Sequence, residues 1–157
     1  MRLRHYLFLI FAMVCALECS AQRFQVKVVK ISDGDTFTAI NRDNLQIKFR
    51  IHGIDAPEKK QAFGNRAKEH LGTLIFGKWI TVDVQKQDRW GRYVAHAYTA
   101  ENKDVALEMI KAGMAWQFIE YDTSEQYREA EQAARKKRVG LWSDPHCISP
   151  WDFRKNK

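Results

Sequence analysis

Three β-branched, partly alternating runs follow one another with little but turn residues between them: FQVKVVKI (24–31), DTFTAI (35–40) and LQIKFRIHGI (45–54). This pattern reads as a three-stranded meander and commits the chain to a sheet. WITVDV (79–84) and YVAHAYTA (93–100), joined by the turn-rich QKQDRWGR, raise the count to five strands. Between the third and fourth runs, FGNRAKEHLGTLIFGK (63–78) places Ala67, Leu71, Leu74 and Ile75 on one helical face. DVALEMIKAG (104–113) is a second helix carrying Val105, Leu107, Met109 and Ile110, ended by Gly113. SEQYREAEQAARKKRVG (124–140) is a third; Ser124 could cap it, and Arg135 to Arg138 complement its dipole. Five strands and three helices make an α+β plan. An antiparallel sheet of five strands would remove its exposed edges by curling into a small barrel.

The first 21 residues stand apart from this plan. MRLRHY is a short basic start, LFLIFAMVCAL an apolar run, and CSA supplies a small residue before Gln22. That order is a secretory signal peptide over 1–21, and the run is short of the roughly 20 residues a membrane span needs. Glu18, where a small residue is expected, speaks against lipid anchoring at Cys19. The expected organisation is the leader, one domain over 22–145 and a basic tail over 146–157, in a protein that is secreted or periplasmic. Cys15 and Cys19 leave with the leader and Cys147 stands alone. No internal disulfide can form and no zinc spacing exists, so the domain must be held by packing. The formal net charge of +7 suits a polyanion. The stretch WDFRKNK (151–157) is expected to be loosely tied and could attach to an anionic surface.

Asp33-Gly34-Asp35 is a hairpin signal by composition. It can also be half of a metal site, because side chains two residues apart project to one side of an extended backbone. In FRIHGIDAPEKK (49–60), Phe49 and Ile51 face the core by the period of two and Arg50 faces the other way. Asp55 follows at the strand end, Pro57 stiffens the exit and Glu58 comes next. If the second and third strands pair, Asp35 can approach Asp55. A few carboxylates and a carbonyl make an all-oxygen site that favours calcium or another hard dication over zinc. It is not an EF-hand, since Phe37 takes the third acidic position. Arg92, after the turn glycine Gly91, could clamp a phosphate opposite Arg50 with its planar fork. The histidines show no ligand or triad spacing, and no Gly-x-Ser-x-Gly elbow or phosphate-cradling glycine loop is present.

Taken in order, ISDGDTF (31–37), FRIHGIDAPE (49–58), DRWGRYVAHAY (88–98), ALEMIKAGMAW (106–116) and ARKKRVGLW (134–142) resemble the staphylococcal nuclease family. The resemblance covers nearly all of residues 24 to 142. It implies an OB-fold barrel of five strands with three helices, and a calcium-dependent nuclease that cuts DNA and RNA to 3′-phosphate products. By the same resemblance, Asp35 and Asp55 are direct calcium ligands, Ala56 adds its backbone carbonyl, and Asp33 stands in the outer shell. Arg50 and Arg92 resemble the phosphate-binding arginines. Glu58 resembles the proposed general base, or equally a group that orients the attacking water. Tyr121 matches an aromatic residue near the nucleotide, with packing as its other reading; Trp90 and Trp116 read as packing residues. No stable protein partner is implied, and a monomer is expected. The rival reading is an inactive OB-fold module that binds nucleic acid or a protein. Such a module has no reason to keep Asp35, Asp55, Glu58, Arg50 and Arg92 together.

Overall fold

The computed structural model describes residues 22–155; residues 1–21, where the leader with Cys15 and Cys19 is expected, and Asn156 and Lys157 of the tail lie outside them. Strands β1 (Gln22–Ile31), β2 (Thr36–Ile40) and β3 (Gln46–Ile51) form the expected meander. The third run is shorter than its apolar pattern suggests, because Gly53 takes a left-handed φ of 76° and turns the chain. Ile54–Asp55 (β4) then pairs in a separate two-stranded ribbon with Trp116–Gln117 (β7). Trp79–Gln87 (β5) and Tyr93–Tyr98 (β6) complete a closed barrel in the order β1-β2-β3-β6-β5.

Closure departs from the all-antiparallel expectation at one seam. β6 runs parallel to β3, with Phe49 opposite Tyr93 and Ile51 opposite Ala95, while β5 returns antiparallel to β1. Strand pairing is the way a small sheet satisfies its edge N–H and C=O groups, and closure into a barrel pairs the two edges an open sheet would expose. The interior is packed by inward positions of every strand, including Val26, Val28, Phe37, Phe49, Ile51, Ile80 and Val82. The Phe37 and Phe49 rings stack at 5.3 Å.

Helix α1 (Gly64–Ile75) buries Ala67, Leu71 and Ile75 against this core, the face expected from its periodicity. Helix α2 (Val105–Lys111) starts at Asp104, whose side chain accepts from the Leu107 amide. It ends in a Schellman turn: Gly113, at φ 64°, donates to Ile110 and Met114 donates to Met109. Helix α3 (Glu125–Lys136) stops earlier than its charge pattern implies. Ser124 occupies its N-cap position without a side-chain cap bond; the Asp122 carboxylate instead accepts from the Ser124 amide at 2.7 Å. A second apolar cluster joins Trp116, Ala134, Leu141 and Trp142 beyond the barrel, with Trp116 and Trp142 edge to face at 5.0 Å.

The tail is not loose. A 3-10 turn (Gly140–Ser143) leads to a fourth helix, α4 (Pro150–Lys155), which packs back on the domain through buried Pro150 and through Trp151. Long-range apolar contacts decide this, and nothing in the local composition of WDFRKNK announces them. No helix among the described residues is long and apolar enough to cross a membrane.

Two residues set how tightly the parts meet. A Cβ on Gly34 would lie 2.6 Å from the Ala56 Cβ and 2.7 Å from the Ala67 Cβ, so glycine is needed there for close approach of the loop to α1. Gly34→Ala is expected to cost about 1–3 kcal/mol through overpacking; an unchanged urea midpoint would refute the close fit. The buried Tyr127 hydroxyl donates to the Asp104 carboxylate at 2.7 Å, linking α3 to the cap of α2. Tyr127→Phe should lower the unfolding free energy by about 1.5–3 kcal/mol, the range for hydrogen bonds to charged groups, measured by denaturant titration.

Candidate active site

β3 alternation sends Phe49 and Ile51 into the core and leaves Arg50 on the opposite side, at the rim of the barrel. The turn at Gly53 brings Asp55 back to it, and the Asp35 carbonyl, bonded to the Ile51 amide at 2.8 Å, holds the first loop beside it. Arg50 then joins the two carboxylates: Nη1 donates to Asp35 Oδ1 at 2.8 Å and Nη2 to Asp55 Oδ1 at 3.1 Å. Asp35 also accepts from the Ala56 amide at 3.0 Å and from the Thr36 hydroxyl at 3.0 Å. Asp35 and Asp55 are 4% and 1% exposed. Residues 15 and 5 positions from Arg50 in sequence thus meet at its guanidinium.

The electrostatics follow from burial. Desolvation and the neighbouring Asp35 charge push Asp33 up to about 6. Desolvation raises Asp55 as well, against the pull of the Arg154 and Arg50 guanidiniums. Burial opposes the charge of Arg50, but Asp35 and Asp55 outweigh it and hold the proton more firmly than usual. Concentrated, desolvated carboxylate charge of this kind attracts cations. The donors are all oxygen, which fits a hard dication and excludes a thiolate-type zinc site. Among the described residues no three acidic, histidine or cysteine side chains converge on one point. An ion here would therefore rest on Asp35 and Asp55, and complete its shell with the Ala56 carbonyl and water.

Glu58 is held by its own loop: its amide donates to Gln61 Oε1 at 3.0 Å and its carbonyl accepts from the Gln61 amide at 2.8 Å. Its side chain remains one-third exposed. Arg92 is set by the β5–β6 turn, where Asp88 Oδ2 accepts from Nε at 2.8 Å and Asp88 Oδ1 from the Arg92 amide at 3.0 Å. Arg92 Nη1 reaches to 3.5 Å from the Thr36 hydroxyl, which places it next to the Asp35 strand. A cleft of about 880 Å³ is lined by Arg50, Glu58 and Arg92 together with Lys86, Trp90 and Tyr121. Another hollow, of about 610 Å³ by Lys27, Arg42 and Trp79, has no acidic or histidine side chain in its lining.

All of the site residues expected from the sequence therefore lie in or beside one region. Tyr121 is half-exposed at the cleft, its ring tilted at 57° to that of Phe118 and the Lys86 ammonium 4.5 Å from its centre. Trp116 packs as expected. Trp90 does not: it is 65% exposed at the tip of the turn, with the Arg89 and Arg92 guanidiniums 4.2 and 5.1 Å from its ring. A tight turn at Gly91 has no interior side, so its neighbour faces the cleft. Sequence reasoning also missed Arg154. Its Nη2 donates to Asp55 Oδ2 at 2.7 Å and its Nη1 to Glu58 Oε1 at 2.8 Å and Asp55 Oδ1 at 3.2 Å. No local signal could have found a contact that spans 96 to 99 positions.

The profile described as "Staphylococcal nuclease homologue" matches residues 48–144. The chain is 40% identical over 151 residues to an uncharacterized endonuclease of Haemophilus influenzae, covering 96% of this chain and 83% of that one. It is 37% identical over 143 residues to a micrococcal nuclease of Shigella flexneri, covering 84% and 81% of the two chains. A staphylococcal-like nuclease of Arabidopsis thaliana is 41% identical over 119 residues, 74% of this chain and 36% of that one. On the profile match, these identities and the closed five-stranded barrel, the chain belongs to the staphylococcal nuclease family.

Proposed function

We propose that the protein is a calcium-dependent, sugar-nonspecific nuclease that hydrolyses DNA and RNA in the cleft at the barrel rim, leaving 3′-phosphates. The chain is an endonuclease, a hydrolase of phosphodiester bonds. The observation that carries the finer reading is the meeting of Asp35 and Asp55 at Arg50, beside a cleft that Glu58 and Arg92 also line. The basic start, the short apolar run and Ala21 support export to the periplasm or the medium.

Asp35, Asp55 and the Ala56 carbonyl would hold calcium, with Asp33 behind them. When bound, the ion supplies Lewis-acid polarisation of a phosphoryl oxygen and a template for the substrate. Glu58, reachable by solvent and with its backbone fixed through Gln61, holds the attacking water and takes its proton. Arg50 and Arg92 direct paired N–H donors at the phosphoryl oxygens. Their contribution grows as charge builds there, so they favour the transition state over the ground state. Asp88 fixes the Arg92 fork before substrate arrives, which removes reorganisation from the reaction step.

Substrate breadth follows from what the cleft offers. Lys48, Lys86 and Arg89 meet phosphates, which carry little sequence information. Trp90 and Tyr121 present exposed ring faces on which any base can stack.

Single-stranded DNA, duplex DNA and RNA incubated with the protein should all be degraded with calcium and survive with a chelator. Arg92→Ala is expected to slow cleavage by roughly 100- to 1,000-fold with little change in unfolding midpoint. Arg50→Ala should lose a similar factor and also about 3–5 kcal/mol of stability in the calcium-free protein, since it strands buried carboxylates. Glu58→Gln should cripple turnover while leaving salt-sensitive binding. Intact polymer that binds tightly under all these conditions would return the binding-module reading. Binding to single-stranded DNA by Glu58→Gln should also weaken linearly in log–log terms with salt, with a slope of about −0.7 per phosphate contacted; a flat profile would remove the phosphate-contact argument.

A further inference from the structure

Helix α4 delivers a cation to the acidic cluster. Trp151 stacks on Phe118 with ring centroids 5.6 Å apart and planes at 15°, and Gln61 donates to the Ile148 carbonyl, so the segment is fastened to the loop that carries Glu58. Ser149 and Asp152 bond to each other at the start of the helix. Arg154, near its end, lays its guanidinium across both oxygens of Asp55 and one oxygen of Glu58. Asp55 Oδ1 is shared with Arg50, so each Asp55 oxygen already accepts at least one N–H.

We propose that α4 is a latch, in which Arg154 is an internal counter-cation that a divalent ion must displace from Asp55 before the site is loaded. This rests on the calcium-site reading given above. A carboxylate oxygen engaged by a guanidinium has its lone pairs directed at that donor, and a dication at the same edge would stand beside Arg50 and Arg154 together. Like charges at this distance in a partly desolvated pocket repel strongly, so ion and latch exclude each other. The hold is also reversible. Arg154 is 41% exposed on its side chain although Asp55 is 1% exposed, so water can take up the guanidinium once an incoming ion replaces it as the counter-charge of the carboxylate. The helix spans six residues, too short to persist without its contacts. Release frees Glu58 at the same time, so one motion opens both the ion-binding edge and the water-activating group. If the latch is closed nine-tenths of the time, the apparent calcium affinity falls about tenfold.

Calorimetric titration of the calcium-free full chain with calcium, without nucleic acid, tests the latch. Arg154→Ala is expected to bind calcium about tenfold more tightly than the wild type. Lys155→Ala, which removes the same charge one position on, should bind as the wild type does, and Asp55→Asn should abolish binding. Hydrogen exchange on the wild type should show residues 150–155 losing protection as calcium saturates. Calcium affinity in Arg154→Ala equal to or weaker than wild type, or a gain matched by Lys155→Ala, overturns the latch and leaves the ion site standing. So does continued protection of 150–155 at saturating calcium. Slower cleavage by Arg154→Ala at saturating calcium also overturns it, by making Arg154 a phosphate contact. Absence of calcium binding in both wild type and Arg154→Ala overturns the ion site and the latch together.

Discussion

The Arg50 guanidinium, shared between the Asp35 and Asp55 carboxylates at 2.8 and 3.1 Å, is the interaction on which the arrangement of the site depends. Two acids that are almost fully withdrawn from water repel each other unless a cation stands between them. Arg50 supplies that charge from a rigid strand, and its fork fixes the separation of the acids as well as their charge balance. The same guanidinium faces the cleft, so the group that stabilises the acids in the folded chain is also presented to a phosphate. Structural and chemical demands thus fall on one residue.

The barrel makes this possible by bringing ends together. β2 begins at Thr36 and β3 ends at Ile51, and Thr36 lies opposite Arg50, so the acidic loop before one strand meets the acidic corner after the other. Gly34 lets that loop rest on Ala56 and Ala67 at a distance no side chain would allow. The parallel seam between β3 and β6 sets Arg50 opposite Val94, two residues past Arg92, and so places the second arginine on the same rim. Fixed partners hold these groups: Asp88 the Arg92 guanidinium, the Ala56 amide the Asp35 carboxylate, and Gln61 the backbone of Glu58. Preorganisation of this kind spares these side chains reorganisation in the reaction step itself.

Much of this was legible in the chain. The strand runs, the Ala67–Leu71–Ile75 helical face and the glycine-terminated second helix rest on periodicity and short-range spacing, while the grouping of Asp35, Asp55, Glu58, Arg50 and Arg92 was legible through strand pairing and the family resemblance. Where the reading failed, a tertiary contact had overruled a local signal. The third strand broke at Gly53 because Ile54 and Asp55 pair with Trp116 and Gln117. Ser124 gave up capping to the Asp122 turn. Trp90, read as a packing residue, stands out at the cleft because its turn has no interior.

The amino-acid sequence by itself determined the five barrel strands, the first three helices, the inward and outward alternation and the chemical type of the site, because those properties depend mostly on neighbours a few positions away. Only the tertiary structure decided the parallel closure of the barrel, the exposure of Trp90 and the return of Arg154 to Asp55 and Glu58. Those outcomes join residues far apart in the chain, and the free energy that selects them comes from apolar burial and charge pairing across the whole fold, which no local window of residues records.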